Sequence, residues 1–201
     1  MLWLISGPSS VGKSTFTQSD FFIKIFEYSG QTDNVLMNSA VLDPRFTFNP
    51  NRLIHYNVCH SMVFGQQRRV RRTVFGRKRD VRGDHAKDAF LGQVVKSRHE
   101  KKVIVLVCSK QQLLARVKSR KQNETGIKNY VPEKRGASIF LDEGRYNQSL
   151  WLELYRRIDF LKLYENWICF LEKRGMEYVL IDSTTPDYKT IHTKSGISKL
   201  L

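Results

Sequence analysis

A glycine-rich stretch near the start of the chain constrains the fold more than any other feature. Met1 to Ile5 is an apolar run long enough for one buried strand, and GPSSVGKS follows from Gly7 to Ser14. This octapeptide matches G-x-x-x-x-G-K-[ST] without a mismatch, and that pattern is typical of a phosphate-binding loop between a strand and a helix. The sequence therefore predicts that strand, loop and helix follow one another here.

Each residue type in this loop has a chemical reason. Gly7 and Gly12 let the backbone turn so tightly that successive N–H groups point into one concavity. Lys13 can reach the β- and γ-phosphates, the Ser14 hydroxyl can bind Mg²⁺, and the start of the following helix favours an anion. The residues predicted to contact the nucleotide are Gly7, Ser9, Ser10, Val11, Gly12, Lys13, Ser14 and Thr15. The alternative is a loop of this form that no longer binds.

The composition predicts a single folded domain. The 201 residues, of which 41% are hydrophobic, suffice for one sizeable core. No apolar run could span a bilayer, and the apolar start lacks the basic flank of a signal peptide, so we expect a cytoplasmic protein with no membrane partner. The cysteines lie far apart in apolar surroundings, which predicts buried, reduced thiols; they are Cys59, Cys108 and Cys169.

The chain is strongly basic, with a formal net charge of +15. Such an excess attracts polyanions or heavily phosphorylated substrates. The segment from Arg68 to Arg82, RRVRRTVFGRKRDVR, is especially dense in positive charge, and it must be exposed because so many charges cannot be buried unpaired. The alternative is that this charge forms only a solvated surface.

Apolar runs and helical periodicity alternate along the chain. Val103 to Cys108, VIVLVC, is the clearest strand, and its continuous apolar run is typical of a parallel sheet covered on both faces. The other predicted elements are strands at Asn34 to Met37, Leu53 to Val58 and Tyr178 to Ile181, and helices at Thr15 to Tyr28, Ala86 to Glu100, Gln111 to Lys121 and Asn147 to Lys173. This alternation predicts an α/β fold with a parallel sheet, in one domain over residues 1–201.

Three stretches together resemble the adenylate-kinase-like nucleotide kinases, and they span most of the chain. They are GPSSVGKST, the strand and helix VIVLVC-SKQQLLARVKSR, and IDSTTPD after the last strand. The resemblance implies a three-layer P-loop NTPase fold with a five-stranded parallel sheet, helices on both faces and a lid at about residues 122–145. It also implies that the first strand is central, between Val103 to Cys108 and Leu53 to Val58.

The same resemblance implies the site residues and the cofactors, ATP and Mg²⁺. Arg116 and Arg120 share one helix face, and the matching arginines of the family lie at the lid base, where they contact adenine and the phosphates. IDSTTPD matches the adenine-binding loop, which assigns Thr184 and Pro186 to nucleotide binding. Lys13, Arg116 and Arg120 would supply the positive charge that phosphoryl transfer needs.

The sequence departs from the family at the acidic residue. Related kinases usually carry an acid at the end of the second or third strand, where this chain has Asn38 and Asn57. Asp43 is the preferred catalytic acid and Asp33 the next. The departure leaves three interpretations open: a non-standard acid, an acceptor that is already ionised and needs no base, or an inactive enzyme.

Three functions are compatible with these patterns. The leading hypothesis is an ATP-dependent kinase that transfers the γ-phosphoryl group to a small phosphorylated or nucleotide-like acceptor. The second is a kinase acting on a nucleic-acid end or a modified base, favoured by the net charge and by Arg68 to Arg82, which would line the acceptor side in the resembled kinases. The third is a P-loop ATPase or nucleotide-binding switch without an acceptor, favoured by the missing strand-end acid.

Overall fold

The structure, a computed structural model, describes residues 1–30, 35–37, 48–59, 85–120, 141–142, 145–146 and 148–201. Its strands are β1 (Leu2–Gly7), β2 (Val35–Met37), β3 (Arg52–Asn57), β4 (Lys101–Val107), β5 (Leu141–Asp142), β6 (Arg145–Tyr146), β7 (Tyr178–Asp182) and β8 (Lys189–Ile191). Its helices are α1 (Lys13–Thr17), α2 (Asp20–Ile25), α3 (Ala89–Lys96), α4 (Lys110–Ser119), α5 (Gln148–Arg157), α6 (Phe160–Lys173) and α7 (Lys194–Leu200), with a 3₁₀ turn at His85–Lys87. The predicted α/β class is confirmed.

Within these described residues, six strands form one sheet in the order β2–β3–β1–β4–β7–β8. The predicted central position of the first strand is confirmed, because β1 pairs in parallel with β3 on one side and with β4 on the other. β2 and β7 extend the sheet in parallel at either side. The buried run Val103–Val107 in β4 explains this order, because a strand with no polar face is stable only inside a covered sheet.

The prediction of a purely parallel, five-stranded sheet is wrong at one edge. β8 lies antiparallel to β7, with Leu180 opposite Ile191 and Asp182 opposite Lys189. Residues 183–188 connect the two strands, and this connection is too short for the crossover that a parallel pair needs, whereas an antiparallel pair needs only a turn. The sheet is therefore mixed and mostly parallel.

Helices cover both faces of the sheet. Trp3 of β1 makes an edge-to-face contact with Phe22 of α2, at 5.7 Å between ring centroids. Ser6 lies on the opposite face of the same strand, and its hydroxyl accepts a hydrogen bond from Trp167 Nε1 of α6 at 2.9 Å. Trp167 also stacks on Tyr56 of β3, at 4.8 Å. These contacts fix the end of β1 between two helical layers.

Two of the predicted helices are each divided in two. The helix predicted from Thr15 to Tyr28 is interrupted at Ser19, whose hydroxyl accepts a hydrogen bond from the N–H three residues on and caps α2. The helix predicted from Asn147 to Lys173 is interrupted before Asp159, whose carboxylate caps α6 in the same way. Both breaks arise because a short polar side chain satisfies backbone N–H groups locally and so starts a new helix.

The thiol prediction holds for two of the three cysteines. Cys59 and Cys108 are buried and free, as predicted, but Cys169 is exposed, so the prediction of a buried thiol is wrong there. Cys169 lies on α6 beside buried residues of the same helix, and its own position faces outward. In the part of the chain that the structure describes, no helix is long and apolar enough to cross a membrane.

Candidate functional site

The glycine-rich loop lies at the carboxyl edge of the sheet, directly after its central strand. β1 ends at Gly7, which pairs with Asn57 at the end of β3, and α1 begins at Lys13 with Gly12 as its N-cap. The predicted succession of strand, loop and helix is thus confirmed. The carboxyl edge is where open parallel α/β sheets bind their ligands, so the loop has a position suited to ligand binding.

The two glycines of the motif adopt backbone conformations that other residues rarely take. Gly7 has a φ of +149° and Gly12 a φ of +99°. A Cβ at Gly7 would lie 2.9 Å from Leu106 O and 2.9 Å from Val11 Cγ1, so β4 and the loop leave no room for a side chain. Ser10 also has a left-handed φ, of 64°, which is uncommon outside glycine. The loop is therefore a tight turn pressed against β4.

Lys13 folds back over the loop that precedes it. Its ammonium group donates hydrogen bonds to Gly7 O at 3.0 Å and to Pro8 O at 2.7 Å. Burial lowers the pKa of Lys13 to about 7, with Cys59 opposing this shift and the Arg120 charge adding to it. A phosphate beside the ammonium group would favour its charged form and raise this pKa again.

Two more carbonyl groups of the loop are held by side chains from distant elements. Tyr155 of α5 donates its hydroxyl hydrogen to Ser9 O at 2.8 Å. Arg116 Nη1 of α4 donates to Val11 O at 2.8 Å. The Ser183 hydroxyl lies 3.0 Å from Val11 O and also 3.0 Å from a carbonyl of β4, so its one hydrogen can bond either acceptor.

The bonded carbonyls determine where the N–H groups of the loop point. The described residues contain no cis peptide bond, and in a trans peptide the C=O and the following N–H point in opposite directions. Because Ser9 O points to Tyr155 and Val11 O points to Arg116, the N–H group of Ser10 points away from Tyr155 and that of Gly12 points away from Arg116. A loop whose N–H groups turn away from such donors can present them to an anion.

Both arginines of α4 reach this loop. Arg116 Nη2 donates to Ser183 O at 2.5 Å and to Thr184 O at 3.2 Å, while Nη1 donates to the glycine-rich loop. Arg120 Nη1 lies 3.5 Å from Ser10 Oγ. The spacing of four residues therefore brings the two guanidinium groups to neighbouring positions, with the edge of Arg116 engaged by backbone carbonyls.

The loop after β7 is fixed to the end of β4. Thr184 N donates to Asp182 Oδ1 at 2.8 Å, and Ser109 N donates to Thr184 Oγ1 at 3.2 Å. Pro186, two residues further on, is exposed. The structure thus brings Thr184 to the same edge of the sheet as the glycine-rich loop, while Pro186 remains open to solvent.

Two hydroxyl groups at the start of α1 are available as oxygen ligands. The side chains of Ser14 and Thr15 are exposed at the first turn of α1, and a hydroxyl oxygen fits Mg²⁺, which otherwise relies on substrate phosphates and water. Among the residues described, no group of three or more His, Cys, Asp or Glu could hold a metal ion. The predicted acid Asp43 and its alternative Asp33 lie outside the described residues, as do Asn38, the segment Arg68 to Arg82 and most of the predicted lid.

The described groups next to the loop on the β3 side are neutral at pH 7. Asn57 Oδ1 accepts a hydrogen bond from Cys59 N at 3.0 Å. Burial raises the pKa of the Cys59 thiol to about 12. His55 is buried with Nε2 at 3.5 Å from Thr17 Oγ1, and burial, aided by the Lys13 charge, lowers its pKa to about 3. Along β3 and the turn after it, no described anion competes with a phosphate for Lys13.

Reasoning from the sequence missed Tyr155 and Ser183. Ser183 offered a weak signal, because it stands directly after a strand at the carboxyl edge. Tyr155 offered none, because its helical spacing is that of a core residue and its partner Ser9 is 146 residues away. Only the folded chain shows that both reach the glycine-rich loop.

Comparisons with known proteins give no match: no family model, no curated protein and no solved structure is similar to the chain. The resemblance to nucleotide kinases therefore remains a prediction that rests on the three stretches of sequence.

Proposed function

We propose that the chain is an ATP-dependent kinase of the P-loop type, which transfers the γ-phosphoryl group to a small phosphorylated or nucleotide-like acceptor. One observation carries the proposal: four carbonyl groups at the end of β1 and in the loop that follows are bonded to side chains, so that these peptide planes are fixed. These carbonyls belong to Gly7, Pro8, Ser9 and Val11. A loop fixed in this way keeps its N–H groups oriented before a ligand arrives, which is what electrostatic preorganisation requires.

The residues at this edge have the chemistry that phosphoryl transfer needs. The reaction depends on alignment and positive charge more than on covalent help from the protein. Lys13 would contact the β- and γ-phosphates, and Arg120, beside Ser10, would approach the transferred group. Ser14 would hold Mg²⁺, which when bound neutralises charge on the phosphates.

The neutral end of β3 favours an acceptor that is already ionised. Asn57 cannot serve as a general base, and its side-chain oxygen is engaged by Cys59 N. A phosphate oxygen carries its own negative charge at neutral pH and needs no base to become a nucleophile. A phosphorylated acceptor therefore suits the described residues better than an alcohol does.

A nucleic-acid kinase is the second candidate. It is favoured by the net charge of +15 and by the basic run Arg68 to Arg82. The phosphates along a nucleic-acid strand would engage many basic side chains at once, whereas a small acceptor would engage one or two. The two candidates share the ATP site and differ only in the size of the anion on the acceptor side.

The first experiment measures ATP binding and phosphoryl transfer with Lys13→Met. We expect the variant to remain folded and to lose ATP affinity and turnover by at least a hundredfold, about 2.7 kcal/mol, because the phosphate charge is left uncompensated. Lys24→Met is the matched control, since Lys24 is exposed on α2 and pairs with the exposed Asp20 at 3.5 Å.

Labelled ATP separates the remaining functions. Transfer of the γ-phosphate to a phosphorylated small molecule supports the leading proposal, and transfer to an oligonucleotide supports the second candidate. Release of phosphate without transfer to any acceptor indicates an ATPase or a switch. Unchanged ATP affinity in a folded Lys13→Met variant would reject the loop as the nucleotide site.

A further inference from the structure

Arg116 joins the phosphate-binding loop to the loop after β7. Nη1 donates to Val11 O on the first loop at 2.8 Å, and Nη2 donates to Ser183 O and Thr184 O on the second. A Cβ placed on Gly12 would lie 3.5 Å from Nη1, so the guanidinium group packs directly against the loop. All three acceptors are neutral backbone carbonyls that belong to segments far apart in the sequence.

We propose that Arg116 is a positioning residue, which sets these two loops in one relative geometry, and that it is not a ligand of the transferred phosphate. The inference rests on the proposed function, because it treats the two loops as the triphosphate and nucleoside halves of one site. It also changes the role that the sequence suggested for Arg116, from a charge on the reacting group to a support for the site.

The planar fork of arginine suits this task. Its two Nη atoms lie at neighbouring corners of a rigid triangular plane, and hydrogen bonds from a charged donor are stronger than those from a neutral one. Nη2 uses both of its hydrogens on Ser183 O and Thr184 O, and Nη1 uses one on Val11 O. To reach a phosphate with these three donors, the guanidinium group would have to release the loops that it holds. Its remaining donors are the second Nη1 hydrogen and the Nε hydrogen, so the experiment below tests whether they serve a phosphate.

The loss of Arg116 would act mainly on the nucleoside half. Without Arg116, the Ser183 hydroxyl can still turn its hydrogen to Val11 O, at the expense of Val107 O. The carbonyls of Ser183 and Thr184 would lose the charged donor that holds them. The loop after β7 would then relax relative to the phosphate-binding loop.

The test compares binding of ATP and of inorganic tripolyphosphate, both with Mg²⁺, by calorimetry. The dissociation constant of tripolyphosphate divided by that of ATP measures what the nucleoside contributes to affinity. In Arg116→Gln we expect this ratio to fall at least tenfold, while tripolyphosphate affinity changes less than threefold. Arg116→Lys should behave in the same way, because one ammonium group cannot span acceptors at both corners of the fork.

Tyr155→Phe is the matched variant for the other half of the site. It removes the bond to Ser9 O and leaves the loop after β7 untouched. Its affinities for ATP and tripolyphosphate should fall by the same factor, so the ratio stays at the wild-type value. If Arg116→Gln instead lowers both affinities equally and Arg116→Lys restores both, Arg116 is a phosphate ligand and the proposal is overturned.

Hydrogen exchange tests the mechanical link without any nucleotide. The N–H groups of Ser183 and Thr184 are bonded to Val107 O at 2.7 Å and to Asp182 Oδ1 at 2.8 Å. In ligand-free Arg116→Gln they should exchange faster relative to amides in the centre of β4, while Lys118→Gln, exposed on the same helix, leaves them unchanged. If the wild type binds neither ATP nor tripolyphosphate, the proposed kinase function is rejected. The exchange result alone then tests the positioning role of Arg116. Unchanged exchange in Arg116→Gln overturns it.

Discussion

At the residue scale, His55 links the stability of the fold to pH. Its side chain is 2% exposed on β3, and burial, aided by the Lys13 charge, lowers its pKa to about 3. In the unfolded chain the pKa is near 6.5, so between pH 6.5 and 3 only the unfolded state binds this proton. The stability that His55 contributes is complete above pH 6.5 and is lost as the pH falls through that window, on the order of 5 kcal/mol in total.

His55→Gln should flatten this dependence. We expect its free energy of unfolding, measured in urea between pH 3.5 and 7.5, to fall less steeply towards low pH than that of the wild type, because glutamine does not titrate. His192→Gln is the control, since His192 is exposed and should keep the wild-type slope. Equal slopes for His55→Gln and the wild type would contradict the assignment of a buried, neutral imidazole.

At the scale of elements, Asp159 decides whether residues 148–173 form one helix or two. Its carboxylate accepts a hydrogen bond from Lys162 N at 3.1 Å and begins α6, whose residues Tyr164 and Trp167 are buried against the sheet. Asp159→Ala should therefore lower the free energy of unfolding by about 1 kcal/mol, measured by chemical denaturation.

If one continuous helix ran through Asp159, the substitution Asp159→Ala would not lower the free energy of unfolding. Alanine is the better residue inside a helix, so Asp159→Ala would then be neutral or stabilising. Glu165→Ala provides the control, because it removes the same charge from an exposed position within α6 and should change stability by less than about 0.5 kcal/mol.

At the scale of the whole molecule, the net charge of +15 predicts how the acceptor side responds to salt. If a nucleic acid is the acceptor, its affinity should fall steeply with salt, with a log–log slope that grows by roughly 0.7–0.9 for each phosphate contacted. The measurement is binding of single- and double-stranded oligonucleotides over a salt series. Neutralising Arg71, Arg72, Arg77 and Arg79, which lie outside the described residues, should make the slope shallower.

A variant of equal charge separates this segment from a general effect of charge. The exposed lysines Lys118, Lys173, Lys189 and Lys199 can be neutralised together to give the same net charge. If the salt dependence of the affinity becomes shallower by the same amount in both variants, the basic segment has no special part in binding. Absence of oligonucleotide binding at low salt would remove the nucleic-acid kinase and leave the small-molecule kinase.

The sequence alone determined the features that depend on local residue order, namely where the strands lie and where the chain turns tightly. The apolar runs placed β1, β3, β4 and β7, because a buried strand needs consecutive apolar residues, and Gly7 and Gly12 specified the tight turn of the loop through their positive φ angles. The confirmed strand order came from the resemblance and not from the pattern itself. The breaks at Ser19 and Asp159 were missed because helical periodicity continues across each cap.

The tertiary structure decided how the site is held together. Val11 O meets Arg116 across 105 residues and Ser183 across 172, and Ser9 O meets Tyr155 across 146. No local pattern encodes such pairs, because they depend on which strands lie side by side and on where each helix returns. The antiparallel β8 was decided in the same way, since a short connection leaves its strand only the free edge of β7. Residue types thus identified the loop, and long-range packing set the directions of its carbonyl groups.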